Sequence, residues 1–310
     1  MRPPFPEVID SSMIATFRSC PRKFELTYMQ HWKPKTESIH LVAGKAFAAG
    51  LEETRRAYFI EGNDPEAALV RGGRALLASY GDTRCPDDSA KSPERMLGAL
   101  VFYFQRYGLE TEAATPITLP GGIRGIEFSF AEPLSIHHPE TGNPIIYSGR
   151  SDQIVDFADG VYIEDDKTAS QLGSSWSKQW DLRSQFTGYS WAAKYGAMKL
   201  NVAGVLVRGV SILKTKYDTQ QAMTSRSDWE IDRWLAQVHK DIKRMIQSWE
   251  AGEWDYNLDH ACTEYGGCPF TTVCKSETPD EWLPMYFEPR QWNPLTREEK
   301  LLFLEEPEVV

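Results

Sequence analysis

The chain has 310 residues, 41% of them hydrophobic and 12% aromatic, and a formal net charge of -10. That content supports one large core or two modest ones and excludes a disordered chain, and no apolar run is long enough to span a bilayer. The acidic balance argues against a broad basic surface for nucleic acid and leaves such a role to local clusters.

In chain order, the first such cluster is Arg18, Arg22, Lys23, Lys33 and Lys35, with only Glu25 among them. It reads equally as a phosphate track or as a solvated helix face. Tyr28 and Trp32 between these charges suit stacking on unpaired bases or burial in a core. A helix through Gly44-Lys45-Ala46-Phe47-Ala48-Ala49-Gly50-Leu51-Glu52 follows, with Phe47, Leu51 and Tyr58 within about 40° of one another at about 100° per residue. Asp64-Pro65 and Ser92-Pro93 are N-cap and first-turn signals, predicting helices over 65–80 and 93–107 with a loop at 81–89 that contains Cys85-Pro86.

The centre is β-rich. Strands are expected at 123–130, carrying Glu127, then at 145–157 and 161–167, joined as a hairpin through Ala158-Asp159-Gly160. A helix over 180–195 and a strand over 202–213 follow. Ser227-x-x-Glu230 is a capping box, and Ile231, Trp234, Leu235, Val238, Ile242, Met245, Ile246 and Trp249 then recur at helical spacing until Gly252. Glu305, Glu306 and Glu308 crowd the tail. The order is a helical first third, a β-rich centre with one embedded helix and a helical carboxy-terminal part, which indicates an α/β chain around one core.

Chemistry concentrates on the hairpin. Side chains alternate along a strand, so Asp165 and Lys167 share a face that Asp166 does not, and the register with the preceding strand decides whether Asp152 joins them. Two carboxylates can hold Mg²⁺ or Mn²⁺, which would activate water and neutralise a phosphoryl oxygen. Lys167 would orient the water or stabilise the oxyanion. Asp-x-Lys alone is also what a solvated acidic turn looks like. Gln185 and Tyr189 lie at i and i+4 on one helix face, where amide and phenol can meet a phosphate oxygen or simply pack. Glu127, on an alternating strand, reads from the residues alone as a solvent-facing acid.

Four of the five cysteines, Cys20, Cys262, Cys268 and Cys274, form a second constellation, with five residues between each successive pair of the last three. The amino terminus has no apolar leader, which predicts a cytoplasmic, reducing setting where clustered thiols bind metal more often than they form disulfides. Four thiolates are the ligand set of a 4Fe-4S cluster. Three of them with His260 or Cys20 would suit zinc, and unligated structural cysteines are the third reading.

Gly149-x-x-Asp152, then Asp165-x-Lys167-Thr168, then Gln185-x-x-x-Tyr189 resembles the PD-(D/E)XK nucleases of the RecB-like class. Ser12-x-x-x-x-Phe17-x-x-Cys20-Pro21-x-x-Phe24 resembles that class's opening helix, and Cys268-Pro269-Phe270-Thr271-Thr272-Val273-Cys274 resembles the carboxy-terminal cysteine pair of its iron-sulfur subset, which includes CRISPR-associated adaptation exonucleases and AddB-type nucleases. The resemblance implies an α/β restriction-endonuclease-like core with a mixed central sheet flanked by helices. It places that core at about 111–224 of a single 1–310 nuclease domain, with a helical iron-sulfur subdomain from about 1–110 and 225–310. It implies catalytic Asp152, Asp165, Lys167, Gln185, Tyr189 and Glu127, metal ligation by Asp152, Asp165 and the carbonyl of Asp166, and a cluster held by the four cysteines that staples the chain ends. The position that the family fills with a metal-binding histidine holds Ala48 here. The implied activity is a metal-dependent DNA exonuclease working on single- or double-stranded ends, with a recombination or helicase partner. The alternative is an inactive nucleic-acid-binding or partner-dependent subunit.

Overall fold

The computed structural model describes residues 2–263 and 267–302. The acidic tail residues Glu305, Glu306 and Glu308 lie outside them. The elements are β1 (Val8–Asp10), α1 (Ser11–Ser19), α2 (Pro21–Phe24), a π-helical turn (Glu25–Met29), β2 (Trp32–Pro34), α3 (Ile39–Phe59), α4 (Pro65–Tyr80) and α5 (Pro93–Tyr107). Then come β3 (Thr115–Pro116), β4 (Ile126–His137), β5 (Pro144–Phe157), β6 (Gly160–Ala169), α6 (Ser174–Lys178), α7 (Ser184–Tyr195), β7 (Val202–Ile212) and β8 (Tyr217–Thr224). The last are α8 (Asp228–Ala251), α9 (His260–Thr263), α10 (Thr271–Lys275), α11 (Pro279–Tyr286), β9 (Phe287–Asn293) and β10 (Glu298–Leu301). The chain divides into two compact units.

One unit comprises Glu37–Ser129 and Arg150–Ile231. Its sheet is mixed: β5 runs antiparallel to β6, β6 parallel to β7, and β7 antiparallel to β8, with β3 against β5. Phe157 pairs with Gly160, so the hairpin turn is only Ala158-Asp159, with Ala158 at φ +52°. The interior of β7 is buried almost throughout, as a strand flanked on both sides must be. Asp64 and Ser92 cap α4 and α5 by accepting the N–H groups of Ala67 and Arg95.

Helices α3, α4 and α5 pack through Phe47, Leu51, Leu76, Met96 and Leu100, with the partly buried Tyr58 against them. The backbones of α3 and α4 approach so closely that a Cβ at Gly72 would lie 2.6 Å from the Gly50 carbonyl. Gly72→Ala is therefore expected to cost about 1–3 kcal/mol, an overpacking penalty, read as a lower urea midpoint at unchanged slope.

The other unit comprises Met1–Thr36, Phe130–Gly149 and Asp232–Val310. Here β1 pairs parallel with the first half of β5, and β2, β9 and β10 form a separate antiparallel sheet. Asp10, fully buried, caps α1 through Met13 N at 2.8 Å and accepts from Trp292 Nε1 at 2.8 Å and Arg297 at 3.0 Å. Trp234, Val238, Ile242, Met245 and Trp249 of α8 are buried.

Several expectations from sequence need correction, among them a single embedded helix, since α6 and α7 both lie between β6 and β7. The carboxy-terminal part is helical only to Tyr286, because Phe287-Glu288-Pro289 pairs with Trp32-Lys33-Pro34, a partner some 250 residues away. The embedded helix starts at Ser184, since Trp180 to Arg183 are taken up by turn hydrogen bonds. Strand β4 runs to His137 and β8 was not anticipated. Of the amino-terminal basic cluster, Arg18 pairs with Asp241, Arg22 with Glu25 and Lys33 with Glu299, while Lys35 donates to the Pro284 carbonyl. The phosphate-track reading is thereby weakened.

Candidate active site

The β5–β6 ladder ends at Gln153 opposite Glu164. One step beyond it, the Asp152 Oδ2 accepts the backbone N–H of Asp166 at 2.6 Å. This leaves Asp152 beside Asp165, which is 2% exposed, and the Lys167 ammonium lies against the Asp165 carboxylate. Strand alternation thus places Asp165 and Lys167 together, and the hairpin register brings Asp152 to them.

The electrostatics follow from burial. Asp152 is pushed up to about 7, first by burial and then by the Asp165 charge, with Lys167 opposing. Asp165 is also raised by burial against the pull of Lys167. Burial alone would lower Lys167, but Asp165 and Asp152 hold it above its ordinary value, so it stays an ammonium. Glu127, at φ +50° on β4, is pushed up to about 8 by burial, then by Asp152, with Arg150 lowering it and Glu52 raising it. Arg150 Nε lies 3.0 Å from Glu127 Oε2.

Gln185 Nε2 donates to the Tyr189 hydroxyl at 2.8 Å, and that hydroxyl donates to the Arg150 carbonyl at 2.6 Å. The pair therefore ties α7 to the backbone of β5 two residues before Asp152. The Asp166 side chain points away from this group, receiving Arg55 Nη1 at 2.7 Å and the Tyr103 hydroxyl at 2.8 Å. Ala48 is exposed on α3. One turn earlier, a Cβ on Gly44 would lie 3.9 Å from Thr168 Oγ1, and one turn later Glu52 acts on Glu127. Position 48 lies between them on the same helix face.

Two adjacent carboxylates, both raised by burial and Asp152 further by the Asp165 charge, are a donor set suited to a hard divalent cation, which would relieve that repulsion. Among the described residues, no three His, Cys, Asp or Glu side chains close into a metal-holding group, so a third ligand would come from backbone or water. The raised carboxylates set the sign of a pH effect. Groups whose folded values lie above their unfolded ones stabilise the metal-free fold while protonated, and that contribution is lost as pH rises through about 7 for Asp152 and about 8 for Glu127. The metal-free Tm is expected to fall from about pH 5 to about pH 8, with Mn²⁺ stabilising most at the upper end, where no proton must be displaced. Scanning calorimetry with and without Mn²⁺ checks this.

The four cysteines sit in the other unit as free thiols, three partly buried and Cys274 exposed. Cys268 N donates to the Cys262 carbonyl at 2.9 Å, and Cys274 N to the Phe270 carbonyl at 2.9 Å. Phe270 and Val273 share a small core with Leu26, which follows Cys20 by six residues. Burial raises the Cys268 and Cys274 thiols, and charge on the neighbouring thiols, Cys20 and Cys262 included, raises them further. The four are thus neighbours with a donor set suited to iron-sulfur or zinc, though not at ligation spacing.

Sequence reasoning missed the buried charges behind β6, namely Arg55, Glu112, Glu164 and Arg208 with Tyr103. A signal was present in Arg208, a lone charge within the apolar run Val205-Leu206-Val207-Arg208. It also missed Arg183, whose positive charge reaches Asp165.

A scan against protein families matches the PD-(D/E)XK nuclease superfamily over residues 11–275. The chain belongs to that superfamily. The match spans both the hairpin site and the cysteines through Cys274. A solved candidate exonuclease from Eubacterium rectale aligns at TM-score 0.48 and 14% identity, covering 83% of this chain and 87% of its own. A second solved structure, SSO0001, aligns at TM-score 0.31 and 13% identity, covering 74% and 84%. No curated protein matches. The PD-(D/E)XK chain has the mixed sheet and flanking helices expected from its sequence, and among its described residues no helix is long and apolar enough to cross a membrane.

Proposed function

We propose that this PD-(D/E)XK chain is a metal-dependent DNA nuclease that degrades DNA inward from its ends. The observation that carries the reading is the pair of partly buried Asp152 and buried Asp165, with Lys167 against Asp165 and the Asp166 N–H holding Asp152. Asp152, Asp165 and the carbonyl of Asp166 would hold Mg²⁺ or Mn²⁺. Bound there, the ion supplies a lowered pKa for water and positive charge beside the phosphoryl oxygen.

The rest is the work of the chain itself. The Lys167 ammonium orients the attacking water and offsets charge as it develops on phosphate. Tyr189 and Gln185 fix the β5 backbone that presents Asp152, and Glu127, paired with Arg150, is held above its ordinary range by burial and the Asp152 charge. The test is linear and circular DNA, single- and double-stranded, end-labelled where linear, incubated with Mn²⁺ or Mg²⁺. Loss of linear but not circular DNA supports end-directed cleavage, and cutting of circles overturns that part of the reading.

The iron-sulfur reading of Cys20, Cys262, Cys268 and Cys274 belongs to this proposal, with zinc as its competitor. Protein purified without oxygen is expected to show a broad visible absorbance and about four iron per chain. A colourless protein with one zinc would favour the competitor. A cytoplasmic role in DNA processing, with a helicase or recombination partner, is the corresponding setting. The exposed methyl of Ala48, where the resemblance expects a histidine, favours a second reading in which the chain binds DNA without cutting it.

A further inference from the structure

Along β6 the side chains divide strictly. Asp165 and Lys167 face the site, while Glu164 and Asp166 face a buried ionic group behind it. Arg55 is its hub: Nη1 donates to Asp166 Oδ2 at 2.7 Å, and Nη2 donates to Glu164 Oε1 at 2.7 Å and to the Tyr103 hydroxyl at 2.8 Å. Gln153 Nε2 also donates to Glu164 Oε1 at 2.8 Å. Arg208 spans Glu112 at 2.7 and 2.8 Å and lies 3.5 Å from Glu164. The side chains of Arg55, Glu164, Asp166 and Arg208 are at most 4% exposed.

Asp166 connects the two faces. Its carboxylate is gripped by Arg55 and Tyr103, and its backbone N–H is the donor that holds the Asp152 carboxylate. A peptide plane is rigid, so fixing the Asp166 side chain limits where that N–H can point. Arg55 also lies on α3, the helix that carries Ala48 and Glu52 toward the site.

Resting on the nuclease reading, we propose that Arg55 is a positioning residue of the active site: its clamp on Asp166 aims the Asp166 N–H that orients Asp152 and registers α3 against β6. A buried ion pair is a poor source of stability compared with apolar packing, so a purely structural role would not need this arrangement. Only a planar guanidinium fork serves Glu164, Asp166 and Tyr103 together, and a lysine keeps the charge but not the fork.

The test is Arg55→Lys, with Tyr103→Phe as a milder variant that removes the bond to Asp166 and the hydroxyl that Arg55 and Arg208 also meet, while each charge keeps an opposite partner. Folding is verified by cooperative melting. Hydrogen exchange at the Asp166 amide, Mn²⁺ affinity by electron paramagnetic resonance, and kcat and KM on linear DNA are then compared with the parent. Arg55→Lys is expected to exchange the Asp166 amide faster and to lose about 10–100-fold in Mn²⁺ affinity or kcat, as outer-shell partners of a metal site do, while KM for DNA holds. Tyr103→Phe should change in the same direction by less.

Unchanged exchange at Asp166 with unchanged Mn²⁺ affinity in Arg55→Lys overturns the inference. If Arg55→Lys does not fold, the same null result in Tyr103→Phe overturns it. A parent that neither binds Mn²⁺ nor cuts DNA, even as Ala48→His, defeats the nuclease reading instead, and exchange at Asp166 still decides whether the clamp aims that amide.

Discussion

Lys167→Ala is expected to lower kcat on end-labelled DNA by about 10²–10³-fold, the usual cost of removing one preorganised group that stabilises developing charge. KM for DNA should change little, because the ammonium is committed to Asp165 in the ground state and meets the phosphate only as charge develops. The substitution also leaves Asp165 buried without its cation, which raises that carboxyl further above its ordinary range. The residual rate of Lys167→Ala should therefore rise more steeply with pH than that of the parent. Lys167→Arg separates the two contributions: a guanidinium retains the charge beside Asp165 but places it differently, so a pH profile like the parent's with a depressed plateau is expected. Equal rates for Lys167→Ala and the parent would remove Lys167 from the catalytic group.

Ala48→His is expected to tighten Mn²⁺ binding by about tenfold or more, equivalent to about 1.4 kcal/mol, and to raise the cleavage rate. The site tolerates the change: Ala48 is exposed, so an imidazole enters open space, and the loss in helix propensity is at most about 0.7 kcal/mol. Its neighbours on the helix face lie beside the site: a Cβ on Gly44 would be 3.9 Å from Thr168 Oγ1, and the Glu52 charge acts on Glu127. Isothermal titration with Mn²⁺ and single-turnover cleavage measure both effects. If the parent cuts DNA and Ala48→His merely improves it, the chain is a nuclease that relies on Asp152, Asp165 and water. Cleavage only after the substitution identifies a dormant active site, and no gain in either quantity counts against this face of α3 as part of it.

How far the site was legible depends on which interactions each residue uses. Asp165 and Lys167 could be grouped from sequence because strand alternation fixes their relation locally, whereas Asp152 joins them through the β5–β6 register, which the sequence left open. Gln185 and Tyr189 were placed side by side by the i, i+4 rule, yet what Tyr189 bonds, the carbonyl of Arg150, depends on how α7 lies against β5. Arg55 was illegible as a partner of Asp166, since 111 residues separate them. The cysteines were readable as a set from their spacing, but the partly buried setting of Cys268 beside Leu26, Phe270 and Val273 was not.

The sequence by itself determined the local features: the caps at Asp64 and Ser92, the capping box of Ser227 and Glu230, the hairpin across Ala158-Asp159, and which residues of β6 share a face. Each rests on hydrogen bonds or periodicities that span only a few residues. Only the tertiary structure decided that Phe287-Glu288-Pro289 is a strand, that four of the five amino-terminal cations are already engaged, and that Glu164 and Asp166 are buried against Arg55 and Arg208. A strand needs a partner for its backbone and a buried charge needs its counter-ion, and in each of these cases the partner is brought in by the fold.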